Sequence, residues 1–307
     1  MALGFLAYAS WGFLSPVGRF LLTGGPYGNQ PRFEPLGLNA VRFLLAAVLF
    51  LLAVGPRNAK AAMALLRRRD VWVVNLLANA SLALFLYALT SLPATFATLG
   101  FYTAPLWTAA IARTWLGERV GPWFLPAAAG LLLGGYLALF GLAGPHEVGR
   151  LGVGLSLAIG SAVVWGVYSV SLRKAAPGLP LIPLMGASFV IGALFFGLPA
   201  LVLEPLPPVA TMGLASWGWM ALYVAVPTLA SFILFNAAMQ RAPASSINLL
   251  VGAELGFTAL IAALLFGDWF SAWQVAGLGI VLASITGYVW MQGRPGALPT
   301  ENAGNTD

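Results

Sequence analysis

Cysteine is absent from this 307-residue chain, and histidine occurs once, at His146. Without a thiol there is no disulfide, no thiolate nucleophile and no Cys-based zinc or iron–sulfur site. With one histidine, HExxH is impossible and a Ser-His-Asp triad within the apolar segments has no candidate. No Walker motif is present, so ATP-driven work is not encoded, and no carboxylate cluster resembles a divalent metal site. The expectation is a chain with no cofactor and no metal. Charge is scarce as well. Asp, Glu, Lys and Arg make up 8% of the residues, against about 25% in a soluble domain. So few charges cannot coat a sphere of this size, and an ordinary soluble protein is excluded.

What is there is apolar. Hydrophobic residues make up 60% of the chain, far too many for disorder. A transmembrane helix needs about 20 mostly apolar residues. Ten windows qualify: 3–22, 36–54, 71–92, 94–116, 123–142, 151–171, 181–203, 214–239, 244–265 and 272–291. Between them lie turn signals such as Gly24-Gly25-Pro26, Gly55-Pro56, Gly144-Pro145 and Pro177-Gly178. No basic segment precedes the first window, so a cleaved signal peptide is not expected. Little chain remains for a soluble catalytic domain, and residues 292–307 read as a polar cytoplasmic tail.

The net charge of +6 would suggest nucleic acid in a soluble protein. Its distribution points to topology instead. With a cytoplasmic N-terminus, the inner loops hold 11 basic residues, from Arg57, Lys60 and Arg67–Arg69 to Arg241 and Arg294. The outer loops hold 2, Arg32 and Arg150. That is the positive-inside pattern, and no nucleic-acid partner is expected. Both termini are then cytoplasmic. Arginine outnumbers lysine 13 to 2 and Ala, Gly and Leu abound, which points to a GC-rich bacterial genome and to the inner membrane.

The strongest feature is an internal repeat. Residues 94–138 align with 244–288 at a constant offset of 150. Leu99, Thr108, Ala109, Ile111, Gly117 and Trp123 recur as Leu249, Thr258, Ala259, Ile261, Gly267 and Trp273. Ser81, Phe85 and Pro93 recur as Ser231, Phe235 and Pro243. At an offset of 154, Trp11-Gly12, Ser15 and Arg19 recur as Trp165-Gly166, Ser169 and Arg173. Each repeat spans five windows, an odd number, so the second copy enters the membrane from the opposite side. Inverted halves of this kind are a hallmark of secondary transporters. The expected fold is an all-α polytopic membrane protein with ten transmembrane helices in two inverted five-helix repeats, 1–143 and 144–291.

Several stretches carry a resemblance. Trp11-Gly12 and Trp165-Gly166 sit near the middle of the first helix of each half. Asn39 to Ala47 forms an Arg-led second helix, Thr103 to Arg119 a fourth, and Ala253-Glu254-Leu255 with Leu265 to Asp268 a ninth. Over essentially its whole length the chain resembles the EamA-type branch of the drug/metabolite transporter superfamily. It departs at Glu254-Leu255, where the family often has Glu-Pro, and at Gly267-Asp268, where it has Gly-Glu. The resemblance implies a cavity lined by helices 1–4 and 6–9 with helices 5 and 10 behind. It also implies ATP-independent export or exchange of amino acids, amines or drug-like solutes, often coupled to ions or protons.

Glu254 is the most informative residue. Ten positions into its window, it lies about 15 Å deep, at the bilayer midplane. A charge there costs roughly 2.5–3.5 kcal/mol on the insertion scale. A low-dielectric site disfavours the ionised carboxyl, which makes Glu254 a candidate proton carrier or substrate partner; the plain alternative is a neutral acid bonding a neighbouring helix. Arg42 sits deep in the second window and is a candidate for a substrate carboxylate or for a carbonyl or acid of a neighbouring helix. Arg19, nearer an end, reads as a snorkelling anchor. Trp11, Ser15 and Arg19 share one helix face. Trp11, Trp107 and Trp165, with Tyr102, are cavity candidates for stacking on a solute. Other tryptophans, among them Trp72, Trp115, Trp123, Trp269, Trp273 and Trp290, read as an interfacial belt. Asn75, Asn79, Asn236 and Asn248 are expected to bond between helices, with Asn79 and Asn248 as solute contacts. Gly117 and Gly267 read as left-handed caps, with Glu118 and Asp268 tying those turns. Gly130 and Gly134, like Gly279 and Ala283, pack within the fold or form a dimer face, leaving monomer and homodimer both open. The competing function is an integral-membrane enzyme acting on a lipid or lipid-linked substrate, with Glu254 and Arg42 or Tyr102 as its catalytic set.

Overall fold

The computed structural model describes residues 1–23, 32–89, 94–140, 151–266 and 271–292. These are helical, with no strand among them. Each predicted window carries helix, but not always one helix. The first window holds α1 (Ala2–Trp11) and α2 (Leu14–Thr23). Then come α3 (Pro35–Ala53), α4 (Gly55–Leu65) and α5 (Arg69–Leu89). The fourth window is split into α6 (Ala94–Phe101) and α7 (Ala104–Trp115). After α8 (Phe124–Phe140) come α9 (Leu151–Ala175) and α10 (Leu181–Leu203). The eighth holds α11 (Leu214–Val224) and α12 (Ser231–Met239), joined by a π-helical stretch at Ala225–Ala230. The ninth holds α13 (Ala244–Asn248) and α14 (Gly252–Phe266), joined by a 3-10 turn at Leu249–Val251, and the last is α15 (Ala272–Gln292).

By length and hydropathy, 7 helical segments among the described residues suffice to cross a membrane. The other three windows fall short for local reasons. Breaks follow Trp11 and Phe101, and α8 is described over 17 residues. The exposed surface is apolar, with Leu52, Leu198, Val202 and Leu264 turned outward, as lipid-facing side chains must be. The protein is a multi-pass membrane protein.

Residues 55–65, expected as loop, form α4. Gly55 adopts φ +77, a left-handed turn that a side chain would resist, and Pro56 opens the next helix. Ala62 is buried where α4 meets Gly186 of α10. The loop that follows is tied by Arg68 to Asp70 at 2.7 Å and by Trp72 Nε1 donating to the Leu66 carbonyl.

Close helix crossings locate the small residues. On α8, Gly134 meets Val281 and the Gly277 carbonyl of α15, and Gly130 meets Ser284. The first small pair therefore packs within the fold. Gly279 and Ala283 of α15 face outward. At the centre, a Cβ on Gly12 would lie 2.5 Å from Phe257 Cβ and 3.0 Å from the Thr258 nitrogen. A Cβ on Gly166 would lie 3.0 Å from the Thr108 nitrogen. Those pairs occupy equivalent positions of the sequence repeat. Gly12→Val is expected to cost about 1–3 kcal/mol by overpacking, read as a lower unfolding temperature in detergent. An unfolding temperature equal to that of the unmodified protein would show that the crossing yields freely.

Candidate functional site

The interrupted helices surround a cavity of about 400 Å³. Its wall is mostly aromatic and aliphatic: Trp11, Phe43, Phe85, Phe101, Trp165 and Phe232. Polar groups on it include Ser15, Arg19, Asn79, Thr98 and Tyr102. Two ionisable residues of the predicted site, Glu254 and Arg42, also reach it. Contributions come from α1, α2, α3, α5, α6, α9, α12 and α14, and α8 and α15 pack against each other outside it. The implied contribution of the seventh window is absent, since no cavity residue comes from α10.

Glu254 stands just after the 3-10 turn. That turn tightens the helical run from Ala244, and Glu254 follows it in the first turn of α14, about ten residues into the span Ala244–Leu265. Tyr8 and Tyr102 are its electrostatic neighbours. No hydrogen bond or ion pair joins Glu254 to the described residues, and it faces the cavity.

Arg42 is built in from the other side. Pro227 has no N–H to give the Tyr223 carbonyl one turn back, and the backbone widens into a π-turn. Thr228 Oγ1 donates to that carbonyl at 2.9 Å and accepts from Arg42 Nε at 2.6 Å. The guanidinium also donates to Asn39 Oδ1 at 3.1 Å and to the Pro227 carbonyl at 3.3 Å. It lies 5.0 Å from the Phe43 ring centre and 5.1 Å from that of Tyr223. Arg42 is thus held by neutral acceptors and rings, with no carboxylate partner among the described residues.

Asn248 forms the cavity floor from behind. Its Oδ1 accepts from Trp165 Nε1 at 2.7 Å, Tyr8 OH at 3.0 Å and Ser169 Oγ at 3.4 Å. Around this hub Phe235 packs on Tyr8, Trp11, Trp165 and Tyr168 with ring centres 5.2–6.1 Å apart. Arg173 donates to the Met239 carbonyl at 2.9 Å on the same side. Glu118 departs from expectation. Gly117 does take a left-handed φ of +68, but the acid does not tie its own turn. It reaches α13 and accepts from the backbone nitrogens of Ala244 and Ser245 and from Ser245 Oγ. Two carboxylate oxygens there satisfy the unpaired N–H groups of a helix start. The matching Gly267 and Asp268 lie outside the described residues, as do Trp269 and His146.

Seven of the nine expected site residues line the cavity: Glu254, Arg42, Trp11, Ser15, Tyr102, Trp165 and Asn79. Two do not. Trp107 is 40% exposed and turned outward, its Nε1 donating to Thr103 Oγ1. The break at Tyr102-Thr103 rotates α7 relative to α6, which a continuous helix would not show. Asn248 supports the wall from outside it. The asparagines Asn75 and Asn79 do not use their amide N–H groups between helices. Asn75 and Asn79 donate to their own helix, to Val71 and Asn75, whereas Asn236 donates to Phe232 of its own helix and also pairs with the Tyr168 hydroxyl of α9, as expected of a bond between helices. Arg19 lines the cavity rather than acting only as an anchor, and Thr98 and Tyr8 are wall residues that the sequence reading did not single out.

Comparisons with known proteins follow the same division. The model of the EamA-like transporter family matches twice, over residues 1–140 and 152–290. A Bacillus subtilis (strain 168) protein named "Uncharacterized transporter YvbV" is 25% identical over 194 residues, 60% of this chain. That match spans 57% of the relative's own length. A solved structure described as "Crystal structure of protein" superposes with a TM-score of 0.78 at 21% identity. It covers 94% of this chain and 96% of its own, a likeness of fold. With two family matches covering nearly all of a helical, lipid-facing chain built around a mostly apolar cavity, this protein belongs to the EamA-like transporter family.

Proposed function

We propose that the protein is a secondary active transporter of a small organic solute, an exporter or exchanger. The observation that carries this is the cavity itself, of about 400 Å³, bounded by both family-matching halves, with Glu254 and Arg42 on a wall of aromatic side chains. Ten crossings in two inverted halves, 1–143 and 144–291, put such a cavity near the midplane. The lopsided distribution of basic residues supports a bacterial inner-membrane protein with both termini in the cytoplasm. The solute has an apolar or aromatic body and a polar group, the class of amino acids, amines and drug-like molecules. Glu254 carries the coupled proton or meets the solute's charge. No cofactor enters this reading, and lipid is the surrounding partner.

The test is transport by the full chain in proteoliposomes across a panel of such solutes, with and without a pH gradient. The expected result is movement of at least one solute without chemical change. Product formation without movement would replace this reading with that of a membrane enzyme. Reporter fusions at residues 55–70 and 143–150 are expected on opposite sides of the membrane.

A further inference from the structure

The repeat offset allows the two faces of the cavity to be compared residue by residue. On the face that carries most of the basic residues, Asn248 of α13 holds Trp165 and Ser169 of α9. At the same offsets the other half has Thr98 on α6, Trp11 on α1 and Ser15 on α2. All three line the cavity, and no hydrogen bond joins them among the described residues. The glycine crossings behave differently. Both run between the halves: Gly12 of the first sits against Phe257 and Thr258 of the second, and Gly166 of the second against Trp107 and Thr108 of the first. A contact made twice in this way survives an exchange of the halves' conformations. A contact present in one half alone is what the exchange moves.

We propose that in the alternate state Thr98 takes the part of Asn248 on the opposite face. Thr98 Oγ1 accepts from Trp11 Nε1 and contacts Ser15, the Asn248 hub opens, and the two glycine crossings act as pivots. Thr98, Ser15 and Trp11 are then gate residues and not merely walls. This rests on the reading of the chain as a transporter with inverted halves. It adds an asymmetry. Tyr8, the third donor to Asn248, corresponds to Ala162, which has no donor. The mirror closure is therefore the weaker of the two, and the state with Asn248 engaged is the resting one.

The natural absence of cysteine makes the test direct. Ser15→Cys and Thr98→Cys are introduced together into the full chain in proteoliposomes, and oxidative cross-linking is timed. The expected result is slow cross-linking in the otherwise unmodified protein and about tenfold faster cross-linking when Asn248→Leu is added, because losing the hub shifts the population to the mirror state. Labelling of a single Thr98→Cys by an impermeant maleimide is expected to fall by about the same factor. Should Asn248→Leu fail to fold, Trp165→Phe removes one donor and is expected to give a shift of about threefold in the same direction. No cross-link in any background, or labelling that Asn248→Leu leaves unchanged or raises, overturns the mirror closure. Neither readout needs a known solute. The closure can therefore fail while solute transport stands, and it can be supported when the solute panel is empty.

Discussion

Glu254→Gln is expected to abolish pH-gradient-driven transport, down to the rate of protein-free vesicles, in a protein that still folds. The amide matches the carboxyl in size, and no described residue depends on Glu254 for a hydrogen bond or ion pair. Folding therefore loses no contact. It sheds instead the roughly 2.5–3.5 kcal/mol that an ionised group costs at this depth, so the unfolding temperature should stay level or rise. An amide cannot take up or release a proton near neutral pH, and that ends coupling. The measurement is solute accumulation under an imposed pH gradient, with the unfolding temperature as control. Driven transport that persists in the Gln variant removes Glu254 from the coupling step.

Arg42→Met is expected to give the largest loss of stability of any single substitution in the cavity wall. The side chain donates to Asn39, Thr228 and the Pro227 carbonyl while 1% exposed. Hydrogen bonds from a charged donor contribute about 1.5–3 kcal/mol each, and the loss strands acceptors with no water to replace it. Two of the three acceptors lie in the π-turn, so the join between α11 and α12 should loosen first. Arg42→Lys separates charge from shape, because the ammonium keeps the charge and lacks the planar fork. If Arg42 serves only as a brace, Lys recovers little stability and transport falls in step with folding. If the positive charge also receives an anionic group of the solute, Lys recovers transport beyond its gain in stability. Thermal unfolding beside initial transport rates decides this. An Arg42→Met protein as stable as the unmodified one would contradict the bracing role.

Much of the helical layout was legible in the sequence because lipid imposes a length on an apolar segment. Every predicted window carries helix. The interruptions were not read, although two of them carried a signal. Pro16 and Pro105 stand in the first turns of α2 and α7 and have no N–H for the Gly12 and Phe101 carbonyls one turn back, while Leu249–Val251 has no proline near it. Pro227 was a visible signal for the π-turn, yet proline alone does not say how the freed carbonyls are met. Trp107 was assigned to the cavity by its depth in the window, and depth does not say which face a side chain takes: it is exposed and bonded to Thr103. Glu254 stands within the span Ala244–Leu265 as read, but the 3-10 turn just before it was not foreseen. Asn248 does bond between helices, as expected, but its place behind the wall and the reach of Glu118 to α13 were not foreseen. Their partners lie 79 to 240 residues away for Asn248 and 126 or 127 for Glu118, beyond any local pattern.

Solute counterflow in proteoliposomes tests the central claim most directly. Vesicles containing the purified full chain are loaded with an excess of unlabelled solute and diluted into a trace of the same solute carrying a label. A cavity opened by turns to either side predicts transient accumulation of the label above its outside concentration, recovered chemically unchanged and driven by exchange alone. Equilibration without overshoot, or label recovered as a different compound, would contradict it.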